Sequence, residues 1–231
     1  MSDQHDRVFP RRPPEFARNG RVTWIERLAD LARLNRWFLR RPPIRIEPSE
    51  GDIISPAQAR IQTLAPIDPS GWIEEKSVFG QPRRIQIREI LRDDSLAESF
   101  VGGETIKLYL APWDLHFLLF PVPGIVSRYE YRSGWAVPLL FMRSGDVLNQ
   151  RLCVRIETDW GFPVGVVLIG SWMVNGIHHA FQEGARYDRG ADLGHFKIGS
   201  SVVMAFPRGK VRWLKDPGEK VRLGETIAKL V

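Results

Sequence analysis

A single cysteine, Cys153, stands among the 231 residues. One thiol excludes an internal disulfide framework and a cysteine-built zinc site, and it suits a reducing compartment. Its apolar neighbours Leu152 and Val154 mark it as a core residue rather than a nucleophile. Long apolar runs are missing too. The most hydrophobic stretch, FPVGVVLIGSWMV (162–174), is shorter than a membrane-crossing helix needs and is broken by Pro and Gly. The N-terminus is polar and Arg-rich, without the apolar centre of a secretory signal. No Gly-rich phosphate loop, HExxH pair or serine nucleophile elbow occurs, so nucleotide, zinc-protease and serine-hydrolase chemistries have no motif to stand on. His178 and His179 are adjacent, and strand neighbours face opposite ways, so they make a poor metal pair.

What is present is enough for a packed body. Hydrophobic residues make up 43% of the chain, and its length suits one large domain or a domain with a small appendage. The net charge of +6 is uneven. Residues 1–46 hold 11 Arg against five acidic residues, whereas 47–231 are balanced, so the basic character belongs to an N-terminal appendage. Within it, Pro10, Pro13 and Pro14 argue against helix over 1–20. TWIERLADLARLNRWFLRR (23–41) then opens with a capping box, Thr23 and Glu26. Trp24, Leu28, Leu31 and Phe38 share one helical face, and Pro42-Pro43 ends the pattern. Such a helix either docks on its own domain or lies in a membrane interface with Arg on anionic headgroups; the concentrated charge favours the membrane. No nucleic-acid-binding fold accompanies the charge.

From residue 44 the texture changes to short β-prone runs punctuated by Gly and Pro: IRIEP, ARIQTL, RRIQIREIL, TIKLYLAP, GIVSRYEYR, QRLCVRIET, VGVVLIGSWMV, SVVMAFP and KVRWL. One helix is expected over 88–100, and DPGEKVRLGETIAKL has the glycine spacing of a hairpin. The fold class is therefore mostly β (α+β): a β-sandwich-like body over 47–231, with an N-terminal amphipathic helical appendage over 1–46.

The segment LGHFKIGSSVVMAFP (193–207) places Gly199 and Ser200 inside an aromatic and apolar strand. It resembles the Gly-Ser-Ser or Gly-Ser-Thr element of the phosphatidylserine decarboxylase family. Other segments agree in order. RWFLRRPP (36–43) resembles the family's opening segment. ISPAQA (54–59) sits where the family has Ser-Pro-x-Asp-Gly. LYLAPWDLHFLLFPVPG (108–124) resembles its Leu-x-Pro-x-Asp-Tyr-His-Arg-x-His-x-Pro region. NQRLCVRIETDWG (149–161) resembles its Asn-Glu-Arg strand, and VVLIGSWMVNGI (166–177) the strand before the processing site. The match covers about 35–231.

The resemblance implies a self-processing proenzyme. The Ser200 hydroxyl would attack the Gly199 carbonyl, where glycine leaves the approach open. Ester formation and β-elimination would leave a pyruvoyl group at residue 200, a β chain of 1–199 and an α chain of 200–231. The pyruvoyl carbonyl would form a Schiff base with the substrate amine and draw electrons from the carbanion left by CO2 loss. Three helper positions come with the family pattern. The Ser-Pro-x-Asp carboxylate, which orients a base for self-cleavage, is Gln58 here. The later His, implied as that base, is Leu119. The earlier His, associated with decarboxylation, survives as His116, with Asp114 in the same motif. Neither Gln58 nor Leu119 can activate a nucleophile. Three routes to maturation remain open: His195 as a substitute base, His116 in both roles, or Gly-Ser strain unaided.

The expected function is conversion of phosphatidylserine to phosphatidylethanolamine. The alternatives are a non-catalytic family member that binds aminophospholipid or partners an active decarboxylase, and a pyruvoyl-dependent decarboxylase of another amino acid-type substrate. The expected partner is an anionic phospholipid surface on the cytoplasmic side of a membrane, bound peripherally, and the expected assembly is a homodimer or a heteromer of the cleaved chains.

Overall fold

A computed structural model describes residues 16–19, 49–76, 82–134, 145–170, 177–196 and 200–231. The expected helix at 23–41, most of the basic arm and Gly199 lie outside the described residues. The body is built on an eight-stranded antiparallel sheet. Its strands in spatial order are β12 (Arg186–Tyr187), β8 (Gly124–Arg132), β9 (Arg151–Thr158), β10 (Pro163–Gly170), β14 (Ser200–Phe206), β6 (Glu104–Leu110), β3 (Ala59–Pro66) and β16 (Lys220–Val221). A four-stranded sheet joins β1 (Ala17–Asn19), β11 (Ile177–His179), β13 (Asp192–Phe196) and β7 (Phe117–Leu119). A three-stranded sheet joins β15 (Val211–Trp213), β17 (Thr226–Leu230) and β2 (Asp52–Ile54), and β4 (Trp72–Lys76) pairs with β5 (Pro82–Gln86).

The alternation of side chains assigns the layers. On β14, Val202, Met204 and Phe206 pack with Leu118, Phe196, Ile53 and Ile227, so this face of the large sheet lies against the four- and three-stranded sheets. Val203 and Ala205 point the other way, against Ile73, Ile85, Ile87, Ile90 and Phe100. All seven residues of β14 are buried, which is why SSVVMAF reads as a continuous apolar run rather than an alternating one. The body is mostly β, as expected.

Two local expectations are corrected. The single helix over 88–100 is two short helices, α1 (Ile87–Leu91) and α2 (Asp94–Glu98). Arg92 turns left-handed at φ 54°, and Asp93 then caps the second start by accepting a hydrogen bond from the Leu96 amide at 3.0 Å. The C-terminal segment is not a hairpin. β16 extends the large sheet by pairing with β3, while β17 sits between β15 and β2. β16 takes the open edge of the large sheet, whereas β17 is laddered on both sides in the smaller one, so the two find partners other than each other.

Candidate active site

Ser200 is the first residue of β14, between Gly170 of β10 and Leu110 of β6. Its parity with Val202 and Met204 turns the hydroxyl towards the core shared with the four-stranded sheet. Ser201 faces the opposite layer with Val203. Both serines are 0% exposed, and neither Oγ has a hydrogen-bond partner among the described residues. An unsatisfied buried hydroxyl costs roughly 1–3 kcal/mol, so an ordinary strand position would sooner carry Ala or Val.

His116 is also fully buried, and it precedes β7 on the side occupied by Leu118 and Phe120. Its backbone carbonyl accepts a hydrogen bond from the Phe196 amide at 3.0 Å. Leu110, the last residue of β6, pairs with Ser200, and the segment that continues from it to His116 is tied to Phe196, so His116 and Ser200 lie towards the same end of the core.

The His116 ring is oriented by a main-chain group. Its Nδ1 lies 2.8 Å from the Asp114 carbonyl oxygen. A carbonyl only accepts, so Nδ1 carries the proton and the neutral ring keeps its lone pair on Nε2. Burial pushes the pKa down to about 4, and the Asp114 carbonyl works weakly in the other direction. The Asp114 carboxylate shapes the turn: Oδ2 accepts from the Ala111 amide at 2.9 Å, and Oδ1 from the Gln58 amide group at 3.5 Å. Gln58 thus reaches the same turn that holds His116, which supports the register placing it at the family's carboxylate position.

Leu119 and His195 lie elsewhere. Leu119 points to the outer face of β7 and packs with Phe117, Leu223 and Phe16, while its amide donates to the Pro56 carbonyl at 2.9 Å. His195 sits opposite Phe117 and His178 in the ladder. Its ring stacks on His178 at 4.5 Å and meets Phe16 edge-on at 4.6 Å. It alternates with Phe196, which enters the core, so its ring is on the far side from the Ser200 hydroxyl. Gly194 fits this ladder because a Cβ there would lie 2.1 Å from the His178 carbonyl oxygen. His179 faces away from His178, against Tyr129 and Phe181. Cys153 is buried, with its pKa pushed up to about 12 by that burial, so it is no nucleophile.

A groove of about 1110 Å³ opens beside the Asp114 turn. Its lining includes Gln58, Tyr109 and Asp114 together with the cations Arg60, Lys220 and Arg222. Sequence reading missed the groove, since its cations come from strands 160 positions apart in the chain, and only β3–β16 pairing unites them.

The fold and site define a class: a β-rich protein whose candidate nucleophile is a buried strand serine, held within the core rather than on an exposed elbow. A family model described as phosphatidylserine decarboxylase matches residues 31–229. Phosphatidylserine decarboxylase proenzyme of Saccharophagus degradans is 28% identical over 86% of this chain and 78% of its own length. Those of Bordetella petrii and Azotobacter vinelandii are each 30% identical, over 84% and 80% of this chain and 76% and 72% of their own lengths. This chain belongs to the phosphatidylserine decarboxylase family, a family of carboxy-lyases.

Proposed function

We propose that the chain is a phosphatidylserine decarboxylase proenzyme that cuts its own Gly199–Ser200 bond and converts Ser200 into the pyruvoyl group used for catalysis. The observation that carries this reading is the Ser200 hydroxyl, fully buried, without a partner among the described residues, and turned to the layer that holds His116. In the cut, Ser200 Oγ gives up its proton and attacks the Gly199 carbonyl carbon, which moves the acyl group from nitrogen to oxygen. Loss of the Ser200 Cα proton then breaks the Cβ–O bond. Gly199 departs as a carboxylate, residue 200 becomes dehydroalanine, and hydrolysis with release of ammonia leaves the pyruvoyl group.

His116 is the group suited to these protons. Its Nδ1 is committed to the Asp114 carbonyl, and burial keeps the ring neutral at ordinary pH, so its basic lone pair is the one on Nε2. The orientation that a carboxylate would give is supplied by the main chain, which makes Gln58 tolerable. When formed, the pyruvoyl group supplies the carbonyl that takes the substrate amine and the electron sink for CO2 loss. His116 would also hold the proton returned to the carbon that lost CO2. The 11 Arg of residues 1–46 support peripheral attachment to an anionic phospholipid surface on the cytoplasmic side of a membrane.

Intact-mass measurement of the purified protein tests the reading. Two chains, 1–199 and 200–231 with a pyruvoyl cap, are expected. A persistent single chain of 26.5 kDa would overturn the pyruvoyl mechanism and leave a non-catalytic family member.

A further inference from the structure

The four-stranded sheet ends in β1, three residues that ladder onto β11 and, among the described residues, tie the basic N-terminal appendage to the body. Ala17 is opposite His179, Arg18 opposite His178 and Asn19 opposite Ile177. His178 is in turn opposite His195 of β13. Three of the five histidines of the chain are thus gathered where β1 docks.

Strand alternation divides them between the two faces. On the inner face His179 is 5% exposed and packs against Tyr129 of β8 at 5.0 Å and Phe181 at 4.7 Å. Its ring is bonded to β1. Asn19 Nδ2 lies 2.8 Å from His179 Nδ1 and 3.2 Å from the Ile177 carbonyl oxygen. A carbonyl only accepts, so the Asn19 atom is the amide nitrogen, His179 Nδ1 is its acceptor, and the ring proton sits on Nε2. A second proton, on Nδ1, would set donor against donor and break the bond. Burial favours the same neutral ring by lowering its pKa.

On the outer face Arg18, His178 and His195 form one row that ends in Phe117. The two imidazoles stack at 4.5 Å, and Phe16 meets His195 edge-on at 4.6 Å. A proton on either ring adds a cation to the permanent one on Arg18, and like charges directly opposite each other destabilise a strand pair. The other elements packed here bring little charge of their own. From β8, Tyr129 faces His179, and Tyr131, on whose phenol the Arg18 charge acts, shares its side. The charged residues of β8 alternate with these tyrosines and face the other layer. Asp192, the acid of β13, is opposite Leu119 rather than a histidine, and the C-terminal segment contributes the apolar Leu223.

We propose that β1 is a strap that releases in acid: protonation of His179 at Nδ1 breaks its bond with Asn19, charge on the His178–His195 pair repels Arg18, and Ala17–Asn19 leaves the sheet, so that the N-terminal appendage is no longer held to the body. A three-residue edge strand belongs to the low-stability end of a fold, so the loss of one side-chain bond and one favourable pairing is enough to free it. The direction follows from linkage. With β1 docked, His179 is held below the ordinary histidine range; with β1 gone, it returns towards about 6.5 and takes up a proton, so falling pH favours release. The device is indifferent to whether Gly199–Ser200 is cut, because β1 and β11 both precede that bond.

Hydrogen exchange of the full wild-type chain, followed by mass on peptides spanning 13–22 and 177–181 and corrected for the intrinsic exchange rate, tests the strap on either side of a pKa of about 6.5, at about pH 7.5 and about pH 5.5. Protection of β1 is expected to fall on the order of tenfold at the lower pH, while β9 and β10 keep theirs. His179→Asn, which offers a non-titrating acceptor near the Nδ1 position, should keep β1 protected at both pH values. Asn19→Ala should leave β1 poorly protected at both, and Arg18→Gln should move release to lower pH. Wild-type protection of β1 that does not change with pH, or acid release undiminished in His179→Asn, would overturn the proposal. Protection lost from β9 and β10 together with β1 would overturn it too, since the whole body would then be unfolding.

Discussion

The two faces of the β7–β13 pair have different chemistry. The inner face presents His116, Leu118 and Phe196 to the layer that Ser200 enters. The outer face presents Phe117, Leu119 and His195, roofed by Phe16 and flanked by His178. A family helper position has become leucine on the outer face, and it now contributes packing. The histidine on the inner face is retained, buried and fixed in one tautomer by a carbonyl. On the proposed reading, the retained histidine is the one on the side of the serine, and this single inward histidine of the strand pair would serve where the family pattern has two.

The sharpest way to break this contrast is at the paired serines. Ser200→Ala should abolish cleavage completely, leaving one band on a denaturing gel. Ser201→Ala, one residue away on the other face, should still yield two chains, because removing an unsatisfied buried hydroxyl costs little. Equal loss in both variants would refute the facial assignment. Next come the histidines. His116→Gln should slow cleavage roughly 10²–10⁴-fold, the usual worth of a positioned acid–base group, whereas His195→Gln should stay within a few-fold of wild type in a time course of intact mass. The reverse ranking would make His195 the substitute base.

The smallest effect concerns pH. His116 titrates near 4 when folded and near 6.5 when unfolded. Between those values the unfolded chain binds more protons, so stability falls as pH drops from 6.5 to 4, by on the order of 3 kcal/mol. Burial lowers the His179 pKa as well and adds in the same direction. Urea unfolding of the uncut Ser200→Ala chain should show this slope, and adding His116→Gln should flatten most of it. For the same reason His116-dependent cleavage should keep its rate down to about pH 4; an acid limb near 6.5 would mean that the ring is not buried in the working state.

Much of this was legible in the chain because the signals are local. The β-prone runs at ARIQTL, TIKLYLAP, GIVSRYEYR and SVVMAFP became β3, β6, β8 and β14, and the Gly-Ser motif with its ordered companions marked the family. The misreadings have physical causes. RRIQIREIL holds a strand and a helix in nine residues, and the 3.3 Å bond from the Gln86 amide to the Glu89 carboxylate helps to mark the change. The tail offered turn residues but not the identity of its partners, which depends on edges left open by β3 and β2. His195 was attractive by its five-residue separation from Ser200, yet strand parity sends its ring away. The cationic groove was invisible because strand order, rather than spacing, assembles it.

β14 lies in the middle of the large sheet, laddered to β10 on one side and β6 on the other, and the strands after it complete the edges of two different sheets. If the backbone is severed just before it, the 200–231 piece cannot leave without dismantling the body. The native state would survive such a cut, but its history would be written into it. A mature molecule that unfolds becomes two separate polymers, and regaining the fold becomes a second-order encounter that dilution suppresses. Maturation would thus act as a ratchet: the uncut chain can unfold and return on its own, while the mature protein has one chance at its structure.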